Sequence, residues 1–180
     1  MFEHHLEHLV ESTIVAIPQA HTGLKLTIAV GFSFSLAHVF SLMANRLQPR
    51  QILVHVLLDS LVLGAALLIG NFLNLLMIAL LADQVIRPDV FFNATAGALT
   101  PGLFYVLVAA PYISDLIAIT IWVLIHLNLV TLVHLRFALP YEQVLLITTP
   151  GYLVALLMVA LVFRQSWRRS YCRLATELHE

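Results

Sequence analysis

The sequence predicts an all-α protein, a polytopic membrane helical bundle of about five transmembrane helices with an N-terminal amphipathic interfacial helix. Three observations carry that expectation. Of 180 residues, 61% are hydrophobic and only 11% are charged, whereas a water-soluble domain carries about a quarter; the mean hydropathy is +0.94. Apolar runs long enough to cross a hydrocarbon core of roughly 30 Å, about 20 residues each, follow one another along the chain. The stretch from Ala98 to Phe163 has formal charge only at Asp115, Arg136 and Glu142, and is broken at Pro101, Pro111, Pro140 and Pro150.

Residues 1–20 begin MFEHHLEHLVESTIVAIPQ. Phe2, Leu6, Leu9, Val10, Thr13 and Ile17 share one helical face, and Glu3, His4, His5, Glu7, His8 and Glu11 the other. Glu3, Glu7 and Glu11 stand where a signal peptide is basic, so this segment is expected to stay in the mature protein. His4 and His8 form an i, i+4 pair with Glu11 a turn further on, a spacing that suits a metal. A solvated or partner-facing surface is the plainer account of it.

Five spans follow, at about 24–44, 52–82, 92–112, 115–135 and 144–163. Ser35, His38, Ser41 and Asn45 of the first fall within about 120° of helix face, which is expected to look inward. The second runs for 31 residues, roughly 46 Å as one helix. That is too long for a perpendicular pass and too short for a hairpin of two full spans. It reads as one long helix, tilted or broken near Gly70-Asn71, with Gly64 and Gly70 offering surfaces for close helix approach. The third contains Gly97, Pro101, Gly102 and Pro111, so a re-entrant segment competes with a full crossing. Residues 164–180 form a basic tail.

Arg164, Arg168, Arg169 and Arg173 supply four of the nine Lys and Arg residues. With five spans they fall on the same side as Arg46 and Arg50, opposite Lys25, Arg87 and Arg136. Positive charge stays inside, so the C-terminus is expected in the cytoplasm and the N-terminal helix outside. A re-entrant third segment would make both ends cytoplasmic.

Ionisable groups within spans are expensive and are functional candidates by default. In the five-span arrangement His38, His55, Asp59, Asp115 and Arg164 share one membrane layer. A proton- or cation-accessible cluster is one reading; ion pairs that fix helix packing, with Asp115 capping its helix, are the other. His126 and His134 invite haem or chlorophyll ligation, but their directions differ by about 80° on one helix. A bis-His site would therefore pair His126 with a residue such as His38. Asp115, Trp122 and His126 lie within about 20° of one face, a stripe expected to look inward. Asn71, Asn74 and Asn128 read as interhelical hydrogen-bonding groups.

From Thr100 onward the pattern TPGLFYVLVAAPYISDL, a continuous span, then HLRFALPYEQVLLITTPGYLVALL resembles the Yip family. These are small five-span membrane proteins that include eukaryotic Ypt/Rab-interacting Golgi proteins and bacterial inner-membrane relatives. The resemblance covers the C-terminal half, and it implies a membrane scaffold without enzymatic residues.

Cys172 is the only cysteine, which excludes an intrachain disulfide, a Cys-based iron–sulfur site and a multi-Cys zinc site. HExxH, GxSxG, CxxC and phosphate-loop patterns are absent from the sequence, and the sparse basic tail gives no case for nucleic acid. The expected partners are the lipid bilayer and either further copies of the chain or other membrane proteins. The leading expectation is a non-enzymatic scaffold or accessory subunit. A small proton- or cation-coupled transporter or channel is the alternative, and a haem or pigment carrier the third.

Overall fold

The computed structural model describes residues 22–44, 48–109 and 113–177. The N-terminal amphipathic helix, with His4 and His8, lies outside them, as does Asn45. All regular structure among the described residues is helical: α1 (Thr22–Leu36), α2 (Val39–Ala44), α3 (Pro49–Leu81), α4 (Pro88–Thr95) with its 3-10 continuation (Ala96–Ala109), α5 (Ser114–Phe137) and α6 (Tyr141–Glu177).

Local chemistry sets the boundaries. Pro49 and Pro88 occupy first-turn positions of α3 and α4, where the missing N–H costs nothing and the fixed φ favours the helix. Gln51 reaches back to accept the Gln48 backbone N–H at 3.1 Å, the return half of a capping box. Asp83 and Ala138 follow α3 and α5 with φ of 51° and 53°, the left-handed conformation that ends helices. His134 Nδ1 lies 2.6 Å from the Leu139 carbonyl and its ring stacks on Tyr141 at 3.8 Å, so this histidine holds the α5–α6 turn.

Side-chain contacts fix the direction of each segment. Ser35 on α1 donates to the Val56 carbonyl on α3 at 2.8 Å, while Gly31 lies against Ser60 and Gly64; the two helices are antiparallel. Gly23 donates to Asn93 and Ser33 to Leu103, with the same separation of 70 residues in both bonds. Hence α1 runs parallel to α4 and its continuation. Phe91 stacks on Phe137 and Gly102 lies near Ile125, which makes α5 antiparallel to that segment. Trp122 meets Tyr152 and His134 meets Tyr141, and Gln143 donates to the Leu81 carbonyl; α6 is therefore antiparallel to both α5 and α3. The principal packing partners close a ring in the order α1, α3, α6, α5, 3-10 stretch and back to α1.

Two apolar clusters fill the ring. One gathers Phe34, Leu63, Tyr105, Trp122, Ile125 and Val159 from all five segments; the other gathers Ile78, Phe91, Val133, Val144 and Ile147. Large apolar side chains also cover the outside: Leu61, Leu80, Leu116 and Ile119 are each more than 60% exposed. Water does not tolerate such a surface, and lipid does. Four segments are long and apolar enough to cross a membrane, 49–81, 88–109, 114–137 and 141–162, and α1 is a shorter apolar helix beside them. The chain is an all-helical, multi-pass integral membrane protein.

Two expectations are corrected in detail and one open alternative is decided. The first span is not continuous: the helix is interrupted at Ala37 and His38, where the His38 N–H turns to the Ser35 carbonyl, an i to i+3 bond, at 3.0 Å. The long second span has no break at Gly70-Asn71, because α3 is one helix of 33 residues. The third begins at Pro88 and runs as a 3-10 helix over its last 14 residues. A 3-10 helix rises about 2.0 Å per residue against 1.5 Å, so the segment reaches roughly 40 Å from 22 residues. The basic residues from Arg164 continue α6 to Glu177.

Candidate functional site

The alternating directions bring the backbone positions of His38, His55, Asp59, Asp115 and Arg164 to the same end of the ring but spread them around it. His38, in the turn after α1, is half-buried, as is Asp59 on α3; His55 and Asp115 are exposed. Arg164 belongs to α6, and its side chain lies outside the described part. Among the described residues no group of three or more His, Cys, Asp or Glu side chains is placed to hold a metal ion. The inward stripe expected on α5 is inward only in part: Trp122 is buried and His126 half-buried, whereas Asp115 points out.

His126 is built into the α5–α6 contact. Its ring stacks on Tyr152 with centroids 4.3 Å apart, and Nε2 lies 3.5 Å from Thr149 Oγ1. Nδ1 is buried without a hydrogen-bond partner. Tyr152 covers one face of the ring. Asn74, expected as an interhelical hydrogen-bonding group, lies at the contact of α3 with α6. It is 1% exposed, its Oδ1 has no hydrogen-bond partner, and it abuts Gly151 on α6. Asn71 is buried on α3 and Asn128 half-buried on α5.

Two features were not among the sequence candidates. The first is Ser33. Its hydroxyl donates to the Leu103 carbonyl at 2.8 Å and accepts the Val106 N–H at 3.2 Å, bridging the two groups that an i to i+3 bond would join. One serine of α1 thus closes the 3-10 ladder from outside it. The second is a row of rings crossing the bundle: Tyr105 lies 3.8 Å from Phe34, Phe34 5.5 Å from Trp122, and Trp122 5.8 Å from Tyr152.

Beside this row, α5 and α6 enclose a cleft of about 320 Å³ between Ala118, Ile119, Trp122 and Val123 on one side and Tyr152, Leu156, Val159 and Ala160 on the other. Tyr105 reaches it from the 3-10 stretch. Asp115 stands exposed in the first turn of α5, one turn before Ala118.

None of the family models matches the chain, and neither the curated proteins nor the solved structures contain a significant match to it.

Proposed function

We propose that the chain is a five-pass membrane scaffold or accessory subunit without enzymatic activity, acting by packing against copies of itself or within a larger membrane complex. The observation that supports it best is the filled ring. Its interior is mostly apolar, and the buried hydroxyls of Thr27, Ser33, Ser35, Thr95 and Thr148 are engaged with backbone groups, while Asn74 Oδ1, Thr100 Oγ1 and His126 Nδ1 are enclosed by the fold without a hydrogen-bond partner. Chemistry offered to other molecules is then left to the outer surface. The glycines Gly31, Gly64, Gly70 and Gly151 are spent on contacts within the chain, so association relies on exposed faces such as that of α3, with Leu53, Leu57, Leu61 and Leu80. In this reading α1 is the fifth crossing, the C-terminus is cytoplasmic and the N-terminus lies outside. The Yip resemblance accords with five passes. Purification in mild detergent followed by mass measurement is the test: an oligomer or a co-purifying membrane protein is expected, and a strictly monomeric particle without partners would overturn the proposal.

A second reading, a small proton- or cation-coupled transporter, draws on His38 and Asp59, half-buried on adjoining segments at one end of the ring. It requires that Asp59→Asn abolish a flux measurable in reconstituted parent protein. Absence of such flux across protons and simple cations removes it.

A further inference from the structure

We propose that the cleft between α5 and α6 binds one acyl chain of a phospholipid whose headgroup carries a primary ammonium. The cleft follows from how the two helices meet. From their shared turn they touch at His134 and Tyr141, then His126 and Thr149, then Trp122 and Tyr152. Beyond that pair the facing positions include Ala118 and Ala160, whose methyl groups are too small to close the gap, and the space between them remains open down to Tyr105.

Its walls are almost wholly C–H surface. The outer flanks of the same helices, Leu116 and Ile119 on α5 and Leu157 and Leu161 on α6, are exposed apolar side chains. The cleft therefore opens onto the face that meets lipid, and hydrocarbon enters it without leaving an apolar medium. Its 320 Å³ is about ten times the roughly 30 Å³ a liquid water molecule takes up. That is room for a run of methylenes, and the apolar lining offers a charged headgroup nothing to pair with.

The headgroup is selected at the mouth. Asp115 is exposed in the first turn of α5, one turn before Ala118 in the cleft wall. A carboxylate there repels a lipid phosphate standing alone and attracts an ammonium. A primary ammonium donates charge-assisted hydrogen bonds to it, which the methylated ammonium of a choline lipid cannot do. Phosphatidylethanolamine is thus preferred over phosphatidylcholine of the same chains.

Trp122 in the cleft wall is a built-in reporter. The protein with Trp167→Phe, leaving Trp122 as the single tryptophan, is reconstituted in vesicles containing lipids brominated on one chain. Brominated phosphatidylethanolamine should half-quench Trp122 at a roughly tenfold lower mole fraction than brominated phosphatidylcholine, the preference expected of about one charge-assisted hydrogen bond. Asp115→Asn should erase the difference, and Ala160→Phe should lower quenching by both lipids. Equal quenching by the two lipids in the Trp167→Phe protein would overturn the proposal even if Ala160→Phe failed to fold. None of these readings depends on oligomeric state, so the scaffold proposal stands or falls separately.

Discussion

Gly151 and Asn74 meet where α6 crosses α3, the Asn74 amide oxygen lying where a side chain on residue 151 would have to go. Gly70 closes the same crossing: a Cβ there would sit 2.6 Å from the Gly151 carbonyl oxygen. With no hydrophobic driving force between helices in lipid, such close backbone approach is what dispersion and weak polar contacts require. The Asn74 oxygen, lacking a conventional donor, is set against the Gly151 Cα–H groups, contacts that contribute well under the energy of an N–H bond.

Gly151→Ala should therefore lower stability in detergent by about 1–3 kcal/mol, the usual range for overpacking. Asn74→Ala in the same chain should recover part of the loss and not all of it, because the Gly70 carbonyl still obstructs the new methyl. Additive losses in the double variant would show that the two side chains do not share the crossing.

Gly31 and Gly64, at the α1–α3 crossing, are not equivalent. A Cβ on Gly31 would lie 2.7 Å from the Ser60 carbonyl oxygen and 2.9 Å from the Gly64 nitrogen, both backbone atoms that cannot swing away. A Cβ on Gly64 would have its nearest neighbour at 3.9 Å. Gly31→Ala should destabilise by about 1–3 kcal/mol, whereas Gly64→Ala should be neutral or stabilising by up to about 1 kcal/mol, the helix propensity difference. Thermal unfolding of the two variants side by side checks the order, and equal losses would contradict it.

Connections between segments were legible in part, since Pro49, Pro88 and Pro140 all stand at or next to helix starts, although the third segment begins at Pro88 rather than at the expected residue 92. That the chain has several segments apolar and long enough to cross a membrane was legible too. Rotation was not. Helices that are apolar all round give no preferred face, so nothing local says that His55 and Asp115 look outward while Asp59 is half-buried. Gly70-Asn71 looks like a weak point when α3 is read alone. It is sound because Gly151, far along the chain, packs into it. The interruption at Ala37-His38 carries neither proline nor glycine, and the 3-10 stretch depends on Ser33 of another helix.

That dependence predicts an unequal pair of serine variants. Ser35→Ala removes one interhelical bond to the Val56 carbonyl, a loss of about 0.6–2 kcal/mol. Ser33→Ala removes a donor from Leu103 and an acceptor from Val106 together, and should cost more. It should also speed amide hydrogen exchange at Val106 relative to Ile125, a residue on α5 outside the 3-10 ladder. Unchanged exchange at Val106 would mean that the ladder closes without the serine.

The last prediction concerns how many times the chain crosses. Constant register between α1 and the 88–109 segment, both running the same way, places Gly23 beside Asn93 at one end and Ser33 beside Leu103 further along. If 88–109 crosses the bilayer, its parallel neighbour α1 is carried through the same layer, although α1 has only 15 residues. Residue 22 and the 83–87 connection then share one side, while residue 48 and the end of α6 share the other. After replacement of Cys172, cysteines introduced at Thr22 and Val85 should react with impermeant thiol reagents from one face of sealed vesicles, and those at Gln48 and Ser170 from the opposite face. Reaction of Thr22 and Ser170 from the same face would remove the fifth crossing.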